Sequence, residues 1–244
     1  MDDPALLDVL DAAAAAVREA LDRLDDWGPA GTRPGQYRSD LAADAAALAV
    51  LHRAGLAVLS EESGLTGDPS AELVVLDPLD GSTNAARGIP WYATSLCVID
   101  DEGPRVAVVV DQARGVRFEA VRGEGARRDG HPLAPSGCRR LADAVVGVSG
   151  LPASSPGWAQ FRALGAAALD LCAVAGGVLD GYRPVGTSWL HPWDYLGGVL
   201  VCQEAGAVVG EAGGAELVVR EAARRRPVAA ATPELLSALI AAEL

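Results

Sequence analysis

The 244-residue chain has few basic residues and no long apolar run, and each shortage excludes a class of protein. Lysine and arginine together number 20 against 33 acidic residues, which gives a formal net charge of −13 at pH 7. Nucleic acids are bound through basic patches that neutralise phosphates, so no nucleic-acid polymer is expected as a partner. No apolar run reaches the ~20 residues of a membrane-spanning helix, so no membrane partner is expected either.

Histidine and cysteine are also scarce. The three histidines are scattered, without HxxxH or HxH spacing, which argues against a zinc site. The four cysteines lie far apart without a CxxC pair, and we expect reduced, mostly buried thiols at Cys97, Cys138, Cys172 and Cys202. The chain begins with Met1-Asp2-Asp3 and lacks the basic start of a signal peptide, which predicts a cytoplasmic protein.

Half of the residues are hydrophobic, so the chain can bury a sizeable core as one domain or as two packed halves. The residue patterns predict helices at 4–25, 40–54, 166–175, 193–204 and 233–244. Strands are predicted at 56–60, 73–76, 92–99, 106–110, 117–121, 144–148 and 177–182, with short strands before the last helix. This alternation indicates an α/β fold. The Gly- and Pro-containing stretch 123–138 predicts a boundary between an N-terminal half, 1–125, and a C-terminal half, 126–244.

The most informative stretch is 76–96, LDPLDGSTNAARGIPWYATSL. Asp77 and Asp80 stand three residues apart on an expected irregular turn, behind a short buried strand, and small residues with free backbone amides follow. Carboxylates beside amide donors suit a phosphate only if hard cations lie between them. A helical turn beginning near Ser82 would direct its first N–H groups at a phosphoryl group. The alternative is an acidic β-turn without a ligand.

Residues 77–84, DPLDGSTN, resemble the DPxDGTTN signature of the inositol monophosphatase family, which are Mg²⁺-dependent phosphoesterases. Three further stretches are similar to family elements in the same order. Glu61-Glu62-Ser63 resembles GEES, residues 162–182 resemble RxxGSAA…DGY, and residues 193–206 resemble WDxAAG…EAGG. The resemblance covers about residues 36–210. It implies an αβαβα five-layer sandwich of the sugar-phosphatase type and lithium-sensitive hydrolysis of a phosphate monoester.

The resemblance also implies a ligand set for two Mg²⁺ ions, with a third, weakly held ion left open. One ion would be held by Glu61, Asp77 and the backbone carbonyl of Leu79. The second would be held by Asp77, Asp80 and Asp194, although an Asp at this point of a helix is alternatively an N-terminal cap. Glu62 is interpreted as a structural residue, with a contact to a metal through water as the alternative. The substrate would contact Asp80, Gly81, Ser82, Ala167 and Asp194.

For catalysis, the resemblance implies Glu61 together with Ser82, which stands where the family usually has Thr. The Ser82 hydroxyl could orient a metal-bound water if a nearby carboxylate accepts its proton. The family supplies this carboxylate from a TxAD pattern at the start of the second helix. Here Asp44 is the first choice and Asp40 the second, and the alternative for both is a solvent-facing acid near a helix N-terminus.

Several departures from the family pattern leave the substrate open. The loop 182–191 is longer than in inositol phosphatases and lacks the Glu that contacts the sugar hydroxyls. Ala85 replaces an aromatic residue, so the volume is either open or filled by Trp91. Arg162 and Arg183 would contact a second anionic group or, alternatively, form exposed salt bridges.

The expected partner is a small phosphorylated metabolite. An inositol-1-phosphate-like or histidinol-phosphate-like substrate comes first, and a 3'(2'),5'-bisphosphate nucleotide or fructose 1,6-bisphosphate is the alternative. An aspartyl-phosphate mechanism with Asp77 as nucleophile competes, although that chemistry usually has a DxD pair. A non-enzymatic, metal-binding relative is a distant third. Homodimers are common in the family, but no interface can be identified in this sequence.

Overall fold

The computed structural model describes residues 1–242, in which helices and strands alternate. The helices are α1 (Asp3–Asp22), α2 (Arg38–Arg53), α3 (Ser82–Arg87), α4 (Ala167–Ala175), α5 (Pro192–Glu204) and α6 (Pro233–Ala241). The first strands are β1 (Ala57–Ser60), β2 (Gly64–Thr66), β3 (Leu73–Asp80), β4 (Ala93–Asp100), β5 (Gly103–Asp111), β6 (Val116–Val121), β7 (Gly125–Arg128) and β8 (His131–Pro132). The later strands are β9 (Val145–Ser149), β10 (Gln160–Arg162), β11 (Gly181–Pro184), β12 (Val208–Glu211) and β13 (Pro227–Ala230).

The strands form two sheets. The first has eight strands in the order β2-β1-β3-β4-β5-β6-β7-β8 and is antiparallel except for the parallel pair β1 and β3. The second has five strands in the order β10-β9-β11-β13-β12, with β9 parallel to both of its neighbours. Alternate side chains of each strand point to opposite faces, so each sheet can pack helices on both sides.

The helices and sheets stack in five layers. Val74 and Leu76 of β3 pack with α1 and α2 on one face of the first sheet, whereas Val75 packs with α4 and α5 on the other. Helices α4 and α5 also contact the second sheet, and α6 covers its far face through Leu235 and Leu239. The expected αβαβα sandwich is therefore confirmed, with α4 and α5 between the sheets.

Most predicted elements are present, with shifted ends. The first helix ends at Asp22 instead of residue 25, and the strand predicted at 73–76 continues to Asp80. The last helix is described to Ala241, and the final two residues predicted for it lie outside the described part of the chain. The short strands β2, β7, β8 and β10 were not predicted, because they contain few apolar residues.

The first sheet ends at Pro132 and the second begins at Val145. The division of the chain into two domains stays a prediction.

The four cysteines are free thiols, and three of them are buried. Within residues 1–242, every helix is too short or too polar to cross a membrane.

Candidate metal and phosphate site

The site is built around an irregularity at the end of β3. Asp77 pairs with Ser95 of β4, but Asp80 pairs with Ala93, so β3 carries one extra residue between them. The Leu79 N–H donates to Oδ1 of Asp77 at 3.0 Å, and Thr94 donates to the Pro78 carbonyl at 3.0 Å. The sequence predicted an irregular turn here, and the structure has a bulged strand end. Such bulges redirect side chains beside active sites.

Three carboxylates from three elements meet at this bulge. Glu61 follows β1, Asp77 lies in β3, and Asp194 lies in the first turn of α5. One oxygen of each lies within 4.8 Å of the other two. We call these three residues the acidic centre. Parallel pairing of β1 with β3 brings Glu61 beside Asp77, and α5 between the sheets brings Asp194 from more than 100 positions along the chain.

The acidic centre carries strong like-charge repulsion. Burial, then the charges of Asp194, Glu62 and Asp40, raise the pKa of Glu61 to about 8. Burial, followed by the charge of Asp80, raises the pKa of Asp194 to about 8 despite an opposing hydrogen bond from His191. Burial, then Glu61, Asp80 and Asp194, raise the pKa of Asp77 well above its ordinary value.

No arginine among residues 1–242 forms an ion pair with Glu61, Asp77 or Asp194. The chain contains no lysine. Asp77 is buried and Glu61 and Asp194 are half-buried, and carboxylates in such surroundings without a cationic partner are costly to ionise. A set of oxygen ligands in this state fits a hard divalent cation, so these residues fit Mg²⁺.

Asp80 lies beside the acidic centre but points toward α4. Its carboxylate accepts hydrogen bonds from the backbone N–H of Ala168, at 2.7 Å, and of Ala167. Burial, and then the charges of Asp170 and Glu61, raise its pKa to about 8 against these hydrogen bonds. Asp80 therefore stabilises the N-terminus of α4, a position favourable for a carboxylate.

A cavity of about 340 Å³ opens beside Asp80 and Asp194. Both of these are acidic, and the rest of the lining is small, apolar or hydroxylated: Val148, Ser149, Gly150, Ala163, Gly165, Ala167, Ser188 and Leu190. We call it the substrate cavity. Ala167, predicted to contact substrate, lines it, whereas Gly81 and Ser82 are not among its lining residues.

Gly81 has a positive φ of 85°, which favours glycine. A Cβ there would lie 2.9 Å from the Trp91 carbonyl oxygen and 3.1 Å from the Ala166 Cβ, so neither the backbone nor the space permits a side chain. The helical turn expected near Ser82 is α3, which follows directly. Asn84 of α3 donates to the carbonyls of Trp91 at 2.8 Å and Leu164 at 2.7 Å. This amide joins the bulge to the segment before α4.

Asp40 and Asp44 lie one helical turn apart in α2 but have different surroundings. Oδ1 of Asp44 accepts from Ser60 at 2.5 Å and from Ser63 at 3.5 Å, so Asp44 holds the segment that carries Glu61. The Ser82 hydroxyl lies near the Asp40 carboxyl and favours its charged form, yet Oδ1 of Asp40 is buried and accepts no hydrogen bond of normal geometry from residues 1–242. Burial raises the pKa of Asp40 to about 6.

Glu62, interpreted from the sequence as structural, is held away from the acidic centre. Arg33 donates to its carboxylate at 2.7 Å, and Gln36 donates to the same oxygen. Arg38, the other arginine near the start of α2, pairs with Asp26. The loop before α2 thus contributes an arginine to Glu62.

Leu79 has a buried side chain that packs among α1, α2 and the first sheet. The role of its carbonyl stays a prediction. Ala85 is buried in the same cluster, whereas Trp91 packs against the cluster of α4 and α5. Trp91 therefore does not fill the volume beside Ala85.

Sequence reasoning missed Asp170, a fully buried residue in the first turn of α4. Its Oδ1 accepts from the Trp91 indole N–H at 3.0 Å, and its Oδ2 is buried without a partner among the described residues. Burial raises its pKa to about 8. The sequence signal that could have identified Asp170 is its position as the single acidic residue in the otherwise apolar run AALDLCAVA.

The two arginines of uncertain role do not form exposed salt bridges. Arg183 is only 5 % exposed and donates to the carbonyls of Leu239 and, at 3.0 Å, Ala242 at the end of α6. Arg162 is exposed and donates to Phe161 and Gln160. The exposed ion pairs expected as one alternative are absent for both residues within residues 1–242.

A model of the inositol monophosphatase family matches residues 38–244. Nus factor SuhB from Escherichia coli K12 is 37% identical over 170 residues, a match that covers 63% of this chain and 62% of that protein. The match thus spans less than two thirds of the length of the curated relative.

Two solved structures are similar over nearly their whole length. Extragenic suppressor protein suhB from Bartonella henselae has a TM-score of 0.81 and 28% identity, with 97% of this chain and 98% of that chain covered. Inositol monophosphatase from Anabaena has a TM-score of 0.80 and 28% identity, with 98% and 96% covered.

Proposed function

The chain belongs to the inositol monophosphatase family, and from that premise we propose that it hydrolyses a small phosphate monoester with Mg²⁺ as cofactor. The observation that carries this proposal is the acidic centre, whose three carboxylates each place an oxygen within 4.8 Å of the other two and form no ion pair with an arginine of residues 1–242. It adjoins a cavity of about 340 Å³ that can receive the alcohol part of the ester.

Glu61, Asp77 and Asp194 would hold the first metal, and Asp80 lies close enough to influence the charge of Asp77 and Asp194. Bound Mg²⁺ supplies Lewis-acid activation of water and neutralises phosphoryl oxygens. A second ion that uses Asp80 and an additional contact from the Leu79 carbonyl belong to the same proposal. For Asp80 to bind it, one carboxylate oxygen must face away from Ala168.

We assign orientation of the attacking water to Ser82, with Asp40 as the acceptor of its hydroxyl proton. Asp40 lies near Ser82 and has a buried oxygen without a partner in the described part of the chain, whereas Asp44 accepts a hydrogen bond from Ser60. The sequence favoured Asp44 over Asp40, and the hydrogen bonds support the opposite order. Asp44 would instead position the segment that carries Glu61.

The surroundings of the Asp77 carboxylate argue against Asp77 as a covalent nucleophile. Its side chain is 1% exposed, and Oδ1 already accepts from the Leu79 N–H. A nucleophile must approach phosphorus in line with the leaving oxygen, which a buried carboxylate within a like-charged group is poorly placed to do. Direct attack by water is the proposed route.

The lining of the substrate cavity favours a neutral polyol or an amino alcohol. Ser149 and Ser188 offer hydroxyls, and the charged residues, Asp80 and Asp194, are both acidic. Ser149 is itself oriented by a 2.7 Å hydrogen bond with Tyr182. An inositol-1-phosphate-like or histidinol-phosphate-like substrate is therefore preferred for this cavity.

A phosphate-release screen tests the proposal. The panel is inositol 1-phosphate, histidinol phosphate, a 3',5'-bisphosphate nucleotide and fructose 1,6-bisphosphate, each with Mg²⁺ and with a chelator. We expect Mg²⁺-dependent release from at least one of the first two, with inhibition by Li⁺. Release that persists in the chelator would contradict the metal-based assignment.

The second candidate function is a factor that binds its partners without turnover. The observation in its favour is the name of curated relatives, Nus factor SuhB, at 37% identity. Absence of phosphate release across the panel, in protein that still binds Mg²⁺, would favour this candidate over hydrolysis.

A further inference from the structure

A second cavity, of about 330 Å³, has the opposite charge to the acidic centre. Four arginines line it, Arg183, Arg224, Arg225 and Arg226, together with Trp189 and one acid, Glu211. We call it the arginine cavity. All the basic charge there comes from guanidinium groups, which present donors in a planar fork that matches phosphoryl oxygens.

The four guanidinium groups have no carboxylate partner within residues 1–242. Arg225 donates to the Glu216 carbonyl at 2.6 Å, and Arg226 donates to the Gly186 carbonyl at 2.9 Å. The Nε atoms of Arg183 and Arg226 are buried, and the described residues give neither a partner. Within residues 1–242, two buried cationic donors therefore have no acceptor.

Glu211 does not neutralise this charge by direct contact. Its carboxylate accepts from the backbone N–H groups of Gly213 at 2.6 Å, Ala215 at 3.1 Å and Arg226 at 2.9 Å. The positive field also reaches neighbouring groups. Burial, and then the charge of Arg226, lower the pKa of Arg183, and burial followed by Arg224 lowers the pKa of His191.

We propose that the arginine cavity binds a phosphoryl-bearing anion. The bound anion would accept hydrogen bonds from the free Nε donors and offset the charge of the four arginines. The net charge of the protein is −13, so an anion is favoured where positive charge is concentrated, as it is in this cavity. This site is additional to the proposed hydrolytic site and does not depend on it.

The loop between β11 and α5 touches both cavities. Ser188 and Leu190 line the substrate cavity, whereas Trp189 between them lines the arginine cavity. Leu190 and Arg225 exchange backbone hydrogen bonds of 2.9 and 2.7 Å. The Arg226 guanidinium lies over the Trp189 ring, 5.2 Å from its centre. An anion that engages Arg226 would therefore change the environment of this loop.

Calorimetric titration of pyrophosphate into metal-free protein tests the site. Without metal, the acidic centre has no cation with which to hold an anion, and binding that is lost when arginines of the cavity are replaced reports the arginine cavity. We expect binding in the natural protein and a loss of affinity of about tenfold or more in Arg224→Gln/Arg226→Gln. Absence of binding, or equal affinity in the double variant, would overturn the proposal.

Two further variants keep this test interpretable. Arg220→Gln removes an exposed arginine of the same segment that pairs with Asp101, outside the cavity, and should leave the affinity unchanged. Arg224→Gln alone alters an exposed side chain that makes no hydrogen bond to the described residues, so its fold should be intact. It should still weaken binding several-fold, and unchanged affinity would count against the site.

Kinetics with Mg²⁺ in excess distinguish two sources of the anion. If it is a second phosphoryl group of the substrate, the double variant raises KM for bisphosphates but not for monophosphates. If it is a separate effector, pyrophosphate alters KM for a monophosphate in the natural protein but not in the double variant. If pyrophosphate binds but neither of these changes in KM is seen, the link between the two cavities is overturned.

Discussion

The acidic centre and the arginine cavity both concentrate charge of one sign, which is negative in the acidic centre and positive in the arginine cavity. Within residues 1–242, the carboxylates of Glu61, Asp77 and Asp194 form no ion pair with an arginine, and the four guanidinium groups of the arginine cavity form none with a carboxylate. Elsewhere, arginines such as Arg122 and Arg105 are paired with acids. Unpaired like charges are costly to bury, so each region is built for a counter-ion from solution.

The two regions differ in how deeply their charged groups are buried and in how far apart these groups lie along the chain. Asp77 is 1% exposed, and its neighbours arrive from separate elements of the fold. In the arginine cavity, three of the four arginines are consecutive in the chain, and Arg224 is exposed. Solvent screens exposed charges more effectively, so we expect a stronger dependence on its ion in the acidic centre.

The largest effect is expected from Asp77→Asn, which removes the central carboxylate. Activity should fall by more than about 100-fold, because the change removes a metal ligand and its charge. The metal-free variant should be at least as heat-stable as the natural protein, since one repelling charge is gone. Phosphate release and thermal unfolding measure these two effects. Asp101→Asn, at an exposed position, is the control, and near-normal turnover of Asp77→Asn would refute the metal assignment.

The next largest effect is expected from replacing Asp40, and it should differ in kind from the effect of replacing Asp44. Asp40→Asn should lower kcat by about 10- to 100-fold with little change in the Mg²⁺ requirement, because it removes the acceptor for the Ser82 proton. Asp44→Asn should mainly raise the Mg²⁺ concentration needed, because it loosens the segment that carries Glu61. Rates measured over a range of Mg²⁺ concentrations distinguish the two. The reverse pattern would return the water-orienting role to Asp44.

A smaller effect concerns the pH dependence of stability. Glu61, Asp80 and Asp194 have pKa values raised to about 8, so the folded metal-free protein binds protons that the unfolded chain loses near pH 4. Their contribution to stability is present below about pH 4 and is lost as the pH rises to about 8. Mg²⁺ should therefore raise Tm more at pH 8.5 than at pH 6.

Thermal unfolding with Mg²⁺ and with a chelator at these two pH values measures that difference. In Asp77→Asn the rise in Tm with Mg²⁺ should be smaller at both. Equal rises at pH 6 and pH 8.5 in the natural protein would show that the ion does not compete with protons at these carboxylates.

The smallest effect is expected from salt at the arginine cavity. Raising NaCl from about 0.05 to 0.5 M should weaken pyrophosphate binding several-fold, because this cavity is partly exposed. The Mg²⁺ requirement of the buried acidic centre should change less. Calorimetry and activity measured in the same buffers compare the two regions. Equal sensitivity to salt would remove the distinction between them.

Local sequence pattern was a good guide to elements and to the main carboxylates. The apolar run before Asp77 predicted β3, and the family resemblance implied Glu61, Asp77, Asp80 and Asp194 as ligands divided between two ions. Contacts between distant residues were not predictable in this way. Asn84 binds the Leu164 carbonyl 80 positions away, and Arg183 reaches the end of α6, because the layers bring those segments together.

The assignments that shifted are those that depend on side-chain direction. Asp40 and Asp44 are equivalent by spacing, but α2 places Asp44 against Ser60 and Asp40 near Ser82. Asp80 is a plausible ligand by motif, yet α4 supplies backbone N–H groups for its carboxylate. The spacing of residues in the sequence predicts neither the different surroundings of Asp40 and Asp44 nor the hydrogen bonds of Asp80.

By itself, the sequence determined the residue types of the site, the strand that carries Asp77 and the glycine that permits the tight bend after it. These follow from local rules of backbone geometry and charge. Tertiary structure alone decided that Asp194 joins Glu61 and Asp77, that Asp170 is buried, and that four arginines share a cavity. Such juxtapositions arise from packing α4 and α5 between two sheets, and packing depends on the whole chain at once.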